Sequence, residues 1–384
     1  MTDELILKYS EEVFEEAKRI RRKLHENPEL GNKEFETTKL IKAFLLENNI
    51  AVFEPLETGA VGLIDVGKEE AVAFRADIDA LPVHEKTGLS YASKTGGVMH
   101  ACGHDIHTAS LLAAAKVTGE HRNELQKNVV FIFQPDEEGD GGAKRITDTG
   151  IFEKFNIKKV FGIHVRPELS SKTVGVKFKK SYAASDVFEV TVHGKSSHGA
   201  EPQNGKNALT AASHIVTALE GIVPRNVSPT EGAVLSVCTF QSGSAVNIIP
   251  ETAKIGGIIR TLGFETRKKV KEIFFDTVKY TVKAFDCTAE IKIRESYPGV
   301  VNSDGETELV KNAAEELFSK KNVCVLSEPT MTTEDFGYYL MKAPGCFYHI
   351  GVSCEAPLHS PFFAPDEEAL KTAIAMHIKL SFES

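Results

Sequence analysis

The sequence predicts an α/β fold in two parts: a mostly parallel, doubly wound sheet domain, interrupted by a ferredoxin-like α+β unit. Three observations lead there. The first half carries short β-branched and aromatic runs with little polar alternation, AVAFRAD (71–77), NVVFIFQP (128–135) and KVFGIHV (159–165), separated by helical patterns. Strands buried on both faces of a parallel sheet look like this. From about 182 to 297 the pattern changes to period-two alternation, which marks half-solvated antiparallel strands. The length of 384 residues exceeds one ordinary domain and suits two.

Taken in order, helical periodicity covers 10–26, 34–48 and 106–119, so helices fall between the apolar strands as a doubly wound layer requires. SDVFEVTVHG (185–194) then alternates, and NALTAASHIVTALEGI (207–222) is helical. GAVLSVCTF (232–240) and TAKIGGIIRT (252–261) are strands, followed by a helix at 265–285 and a strand at 288–296. This β-α-β-β-α-β order is the split ferredoxin-like unit. Gly299 and the polar NSDGE (302–306) mark the return. The tail reads as helix 304–319, strand 323–326, helix 334–342, strand 346–350 and helix 366–382. The sheet domain therefore spans 1–181 and 298–384, and the insertion spans 182–297. No internal repeat interrupts this order.

Composition narrows the function classes. A chain that is 42% hydrophobic and 26% charged is globular. A net charge of −9 argues against nucleic-acid binding, which needs a basic footprint. The densest basic cluster, Lys18-Arg19 with Arg21-Arg22-Lys23, is interleaved with Glu11, Glu12, Glu15 and Glu16 and reads as a solvated helix face. No apolar run approaches the ~20 residues of a membrane span, and the acidic amphipathic start is unlike a signal peptide. The six cysteines form no paired framework, so a cytoplasmic protein without disulfides is expected.

The polar clusters follow the strands. RADIDA follows AVAFR, QPDEEGDGG follows VVFIF, His164 closes FGI, and MHACGHDIHTAS (99–110) opens a helix. Ligands bind outside the carboxyl ends of strands in open α/β sheets, so these segments are expected to converge. Cys102 and His104 supply a thiolate and an imidazole, Glu138 and His164 a carboxylate and another imidazole, and His359 in APLHSPF a third imidazole. That mixture suits zinc, manganese, cobalt or nickel better than magnesium or calcium. Adjacent Glu137 and Glu138 point in different directions outside a helix. One can bind metal while the other takes a proton from water, and Glu137 is assigned the base and Glu138 the ligand.

Other donors read differently. His25, His214 and His377 suit packed or solvated positions, and His100 and His107 suit support or helix capping rather than ligation. Cys102 taken alone is an inert buried thiol or a thiol nucleophile. GLIDVGKE (62–69) matches a phosphate loop only by chance, since Glu69 replaces the required Ser/Thr. Neither H-E-x-x-H nor G-x-S-x-G occurs.

LHENPELG, RADIDALP, MHACGHD, FQPDEEG, GIHV, SSHGAEP, NIIP, IIRT, TEDFG and LHSP run in order over nearly the whole chain. Together they closely resemble the metallo-amidohydrolases of metallopeptidase family M20, subfamily D, which include hippurate hydrolase, N-acetyldiaminopimelate deacetylase and the auxin-conjugate hydrolases. The resemblance implies a zinc-exopeptidase-like catalytic domain with an inserted lid, and two divalent metal ions per subunit. It implies cleavage of the amide of a small N-acyl amino acid; the charge and hydropathy above predict no nucleic-acid or membrane partner. Cys102, His104, Glu138, His164 and His359 match the family's ligands, Glu137 its proton acceptor, and Asp79 its catalytic aspartate; Asp77 reads as a structural neighbour. In the lid, His198 resembles a histidine that stabilises the oxyanion, often in the partner subunit's site. Asn247 and Arg260 resemble residues that grip the substrate carboxylate. The same analogy implies a homodimer.

Two departures stand out. Asp136 occupies the place of the family's usual alanine, where it either raises the pKa of Glu137 or faces solvent. After SSHGAEP the chain reads Gln203-Asn204-Gly205 where relatives carry histidine and a later Asp-Pro, which bears on the substrate. Residues 331–339 are expected to shape the amine-side pocket. A dipeptidase or carboxypeptidase using the same site, and a metal-dependent binding protein without turnover, remain the alternatives.

Overall fold

The computed structural model describes residues 1–384 and divides into two units. The first comprises Met1–Lys179, Val301–Glu328 and Asp335–Ser384, and the second Lys180–Val300 with Pro329–Glu334. The chain opens with helices α1 (Asp3–Glu12), α2 (Phe14–Glu26) and α3 (Phe35–Glu47). Strands β1 (Ala51–Phe53), β2 (Ala60–Ile64) and β3 (Ala71–Asp77) follow, then α4 (His104–Glu120) and β4 (Asn128–Gln134). Two short helices, α5 (Gly142–Asp148) and α6 (Ile151–Lys154), precede β5 (Ile157–Arg166) and β6 (Val174–Val176).

Strand β7 (Lys179–Tyr182) leads into the insertion: β8 (Ala184–His193), β9 (Ser197–His198), α7 (Ala208–Glu220), α8 (Ile222–Asn226), β10 (Ala233–Ser242), β11 (Ile248–Ile249), β12 (Thr252–Thr261), α9 (Phe264–Ala284) and β13 (Thr288–Glu295). Strand β14 (Val300–Asn302) leads back to α10 (Asp304–Phe318), β15 (Val323–Val325), α11 (Gly337–Leu340), β16 (Gly345–Gly351) and α12 (Ala369–Glu383).

The first unit is built on an eight-stranded sheet in the order β1-β2-β4-β3-β5-β16-β6-β15. Its centre, β4-β3-β5-β16, is parallel throughout. The β1–β2, β2–β4 and β16–β6 pairings are antiparallel, and β15 returns to parallel. Every side chain of β3 and of β16 is buried, as strands covered on both faces require. Helix α4 packs on β3, β4 and β5 and is covered by α2, α3 and α12, so it is buried almost from end to end. That explains its central run of small and apolar residues, ASLLAAA.

The second unit is an antiparallel sheet in the order β10-β12-β8-β13 with α7 and α9 packed on it, the ferredoxin-like topology. Phe188, Val190 and Val192 of β8 meet Ala211 and Ile215 of α7 and Val270, Phe274 and Val278 of α9 in its core. The Asn207 side chain caps α7 by accepting the Thr210 N–H.

Several elements differ from the sequence reading. Helix begins at Asp3 rather than 10, with an irregularity at Val13, because the charged outer face dilutes the apolar stripe of Ile6, Val13, Phe14 and Ala17. The chance phosphate-loop match overlaps β2, a buried strand whose glycine obscured it. In place of a helix over 334–342 only Gly337–Leu340 is helical, and Asp335 just before it is instead bonded to Arg75, Gln134 and Ala143. The basic cluster is not wholly solvated: Arg21 is fully buried.

Candidate active site

The expected donors meet at the carboxyl ends of the central strands. Ligand atoms of Cys102, His104 and His164 lie within 4.8 Å of one another, as do those of Cys102, Glu138 and His359, and those of His104, Glu137 and Glu138. The three groups share members and so form one cluster. Gly103 makes the Cys-Gly-His turn possible: its φ is 84°, and an added Cβ would sit 2.5 Å from the Val165 side chain. Helix α4 then starts at His104. Gly142 closes the loop after β4, since a Cβ there would fall 1.8 Å from the Pro135 carbonyl oxygen.

Hydrogen bonds set which ring nitrogen faces the cluster. His104 Nδ1 donates to the Asp79 carbonyl at 2.9 Å and lies 3.2 Å from Asp79 Oδ1, while its Nε2 is buried without a hydrogen-bond partner. His164 Nδ1 donates to the Val165 carbonyl at 2.8 Å, and its Nε2 lies 3.4 Å from the Cys102 sulfur. His359 Nε2 lies 3.1 Å from Glu138 Oε1, and its backbone N–H donates to the Ala101 carbonyl at 2.9 Å. Each imidazole thus aims a nitrogen into the cluster, which is how metal-ligating histidines are held. The residues fit a bound divalent ion on this ground.

Asp79 is buried and joins two segments: besides His104 it accepts the Glu138 backbone N–H at 3.0 Å. Asp77 accepts from His107 Nδ1 at 2.5 Å, and His107 Nε2 accepts the Val165 N–H at 2.9 Å. Both His107 nitrogens are therefore engaged, which leaves it in support. His100 is buried with neither ring nitrogen paired, and burial pushes it down to about 4.

Electrostatics favour a cation. Burial pushes the Cys102 thiol well up, with Glu138 and Glu137 adding to the shift. Burial would lower His104, yet Asp77, Asp79 and Glu138 outweigh it and raise the ring to about 10. Burial opposes ionisation of Asp77, but Arg75, His104 and His107 hold it well below the usual carboxylate range. The hydrogen bond to Glu138 raises His359. Burial with neighbouring His107 drives His164 well down, leaving a neutral imidazole. The carboxylates of this cluster stabilise positive charge on the residues around them.

Asp136 neither faces solvent nor stands unpaired. It is buried with φ 58°, accepts from Arg145 at 3.0 Å and from the Asp140 N–H at 3.3 Å, and donates its own N–H to Glu34 at 2.9 Å. Of residues 331–339, Glu334 and Asp335 place carboxylate oxygens within 4.8 Å of one from Glu137, and Asp335, Phe336 and Tyr339 are fully buried. Sequence reasoning missed the network beneath the cluster, formed by Arg75, Gln134 and Asp335. The one signal was an arginine inside an otherwise apolar strand.

Within the second unit, His198 and Asn247 come together. Strand β9 pairs with β11, with His198 opposite Ile248, and the Gly199 N–H donates to the Asn247 carbonyl at 2.8 Å. Both are exposed. Arg260 is not with them. It pairs with Ser185 near the end of β12, whereas Thr252, at the end nearer β11, pairs with His193. Eight residues of strand separate these ends by about 26 Å.

A donor cluster of this chemistry at the strand ends of an α/β sheet is the arrangement of a metal-assisted hydrolase. The chain belongs to peptidase family M20/M25/M40, whose profile matches residues 73–382. It is 42% identical over 354 residues to the N-acetyl-L-cysteine deacetylase of Bacillus subtilis (strain 168), covering 91% of this chain and 84% of the relative. It is 38% identical over 370 residues to the hippurate hydrolase of Campylobacter jejuni, covering 96% of each. A crystal structure of a dinuclear metal-binding peptidase of this family from Bacillus subtilis superposes with a TM-score of 0.86 at 34% identity, covering 97% of this chain and 98% of that one. The chain is accordingly a hydrolase acting on amides.

Proposed function

We propose that this enzyme hydrolyses small N-acyl amino acids to a carboxylic acid and a free amino acid, using two divalent ions. Cys102, His104, Glu138, His164 and His359 would hold them. The observation that carries this reading is the inward aim of the His104 and His164 Nε2 atoms beside Cys102 and Glu138. Divalent ions there would polarise the amide carbonyl and lower the pKa of water. The donor set favours manganese, zinc, cobalt or nickel.

Glu137 takes a proton from the attacking water as the water oxygen bonds to the carbonyl carbon. It returns that proton to the nitrogen as the C–N bond breaks, so the amine leaves neutral. Asp79 keeps His104 and the Glu138 backbone in register. Residues 1–181 with 298–384 serve as the catalytic domain, and the insertion, 182–297, as the lid and dimerisation domain. In it Arg260 and Asn247 grip the substrate carboxylate, and His198 donates to the developing oxyanion. His198 and Asn247 stand far along the sheet from Arg260. The separation of these strand ends supports a homodimer in which one copy supplies Arg260 and the other His198 and Asn247. No helix is long and apolar enough to cross a membrane. All six cysteines are free thiols, which supports a cytoplasmic location.

The test is a substrate panel of N-acetyl amino acids, N-benzoyl amino acids and dipeptides, on chelated protein reconstituted with each of the four metals. Activity is expected only after reconstitution and strongest on the N-acyl substrates. Preference for dipeptides would turn the reading to a peptidase, and full activity after chelation would end the metal role. Glu137→Gln should keep its metal while turnover falls about 10²–10⁴-fold. Near-normal turnover would remove Glu137 from the reaction.

A further inference from the structure

We propose that Asp335 is a positioning residue for this hydrolysis, clamping both ends of the loop that presents Glu137 and Glu138. The proposal rests on the roles given above to those two glutamates. The loop occupies 135–141, between the end of β4 and the start of α5. Asp335 Oδ2 accepts the Gln134 side-chain amide at 2.7 Å on the entry side and the Ala143 backbone N–H at 2.9 Å on the exit side. A second bond, from the Gly142 N–H to the Asp136 carbonyl at 3.0 Å, draws the ends together. A carboxylate oxygen of Asp335 lies within 4.8 Å of one from Glu137.

Asp335 Oδ1 accepts from Arg75 Nη2 at 2.8 Å. The same guanidinium donates through Nε to Gln134 at 2.8 Å and through Nη1 to Asp77 at 2.7 Å. Asp77 in turn holds His107 and lies 3.5 Å from His104 Nε2. One buried carboxylate, distant in sequence, thus fixes the β4 exit loop relative to the β3 end, where the donors of both segments meet.

Arg75, Asp77 and Asp335 are fully buried, and apart from the terminal Asp77 the rest of the strand that carries Arg75 is Ala, Val and Phe. An aliphatic side chain would satisfy packing there without desolvating a charge. Directional bonds to both ends of one loop are what the aliphatic residue could not supply, and holding a site to within a fraction of an ångström needs such support. Asp335 acts through the loop, so its loss should reach turnover and metal affinity more than substrate affinity.

Asp335→Asn keeps the shape but leaves one acceptor oxygen for three N–H donors. Arg75→Lys keeps the charge but cannot serve three acceptors in a plane. Each folded variant is chelated and titrated calorimetrically with Mn²⁺ or Zn²⁺ alone, then assayed beside wild type. The expected result is a cooperative denaturation curve, a metal affinity lowered about tenfold, a kcat lowered about 10²-fold and a nearly unchanged KM. A purely structural role would lower stability and leave the other two readouts unmoved in the folded fraction. Wild-type kcat and metal affinity in a folded variant would overturn the proposal. So would the failure of both variants to fold, because the fold rather than the site would then need the clamp. If reconstituted wild type itself neither binds these metals nor hydrolyses an amide, the underlying reading fails and this one falls with it.

Discussion

Asparagine in place of Asp105 should lower stability and change how stability depends on pH. Asp105 follows His104 in the first turn of α4 and is fully buried. Its Oδ2 accepts from Arg21 Nε at 2.8 Å and from His25 Nδ1 at 2.8 Å, which ties the Cys-Gly-His turn to α2. Burial opposes the charge on both partners, yet Arg21 and His25 hold Asp105 far below its ordinary value. Against the same burial, Asp105 and then Glu85 raise His25 from 6.5 to about 9. A raised histidine adds stability that is complete below pH 6.5 and disappears as pH climbs through 9. At 1.36 kcal/mol per unit, this shift corresponds to about 3 kcal/mol. Asp105→Asn leaves Arg21 and His25 buried without that carboxylate, at a cost of about 3–5 kcal/mol at pH 7. Urea denaturation followed by far-ultraviolet circular dichroism, which needs no tryptophan in a chain that has none, measures both effects between pH 6 and 9.5. The wild type should lose stability across that window, and the variant should lose much less. A loss under about 1 kcal/mol at pH 7, or two parallel pH curves, would refute the coupling.

Gly142→Ala places a Cβ against the Pro135 carbonyl oxygen, backbone that cannot yield without opening the loop. A loss of more than about 2 kcal/mol with a parallel fall in turnover is expected from denaturation and rate measurements; wild-type values in both would contradict the closed loop. Glu34 is buried, and burial raises its carboxyl from 4.5 to about 7 although Thr58 and the Asp136 N–H stabilise the charge. A raised acid weakens the folded state as pH rises from 4.5 to 7. Glu34→Gln should therefore match wild type in acid and exceed it by up to about 3 kcal/mol above pH 7 in the same denaturation series; equal stability at pH 8 would count against it.

The alternation of apolar runs and helices carried the first unit because the centres of β3, β4 and β5 are buried on both faces and leave short, mostly apolar runs. The ferredoxin-like order was legible because β8 alternates buried and exposed residues along its second half. What escaped was short or irregular. Strand β1 has three residues, and α11 has four. The cluster was legible as chemistry, since cysteine, histidine and glutamate after strand ends have few other uses together. Its supports were not. Arg21 looked like one more charge on a polar helix, and its partner Asp105 lies 84 residues away. Asp335 grips Arg75 from 260 residues away, and periodicity carries no signal of such a pairing.

The strain in this molecule is distributed in a way that bears on how the cluster forms. Asp136 and His359 both adopt left-handed backbone, with φ of 58° and 65°, and neither is glycine. Such positions cost about 1–3 kcal/mol each and persist only where the surroundings over-determine them. Here the surroundings are identifiable: Glu34, Arg145 and the Asp140 amide fix Asp136, and the Ala101 carbonyl fixes the His359 N–H. One strained residue immediately precedes Glu137, and the other is itself a donor. The restraints are protein–protein bonds to residues outside the donor set. The backbone at these two positions is therefore held by the folded chain itself, and an ion bound there would meet nitrogens and carboxylates already close to one another.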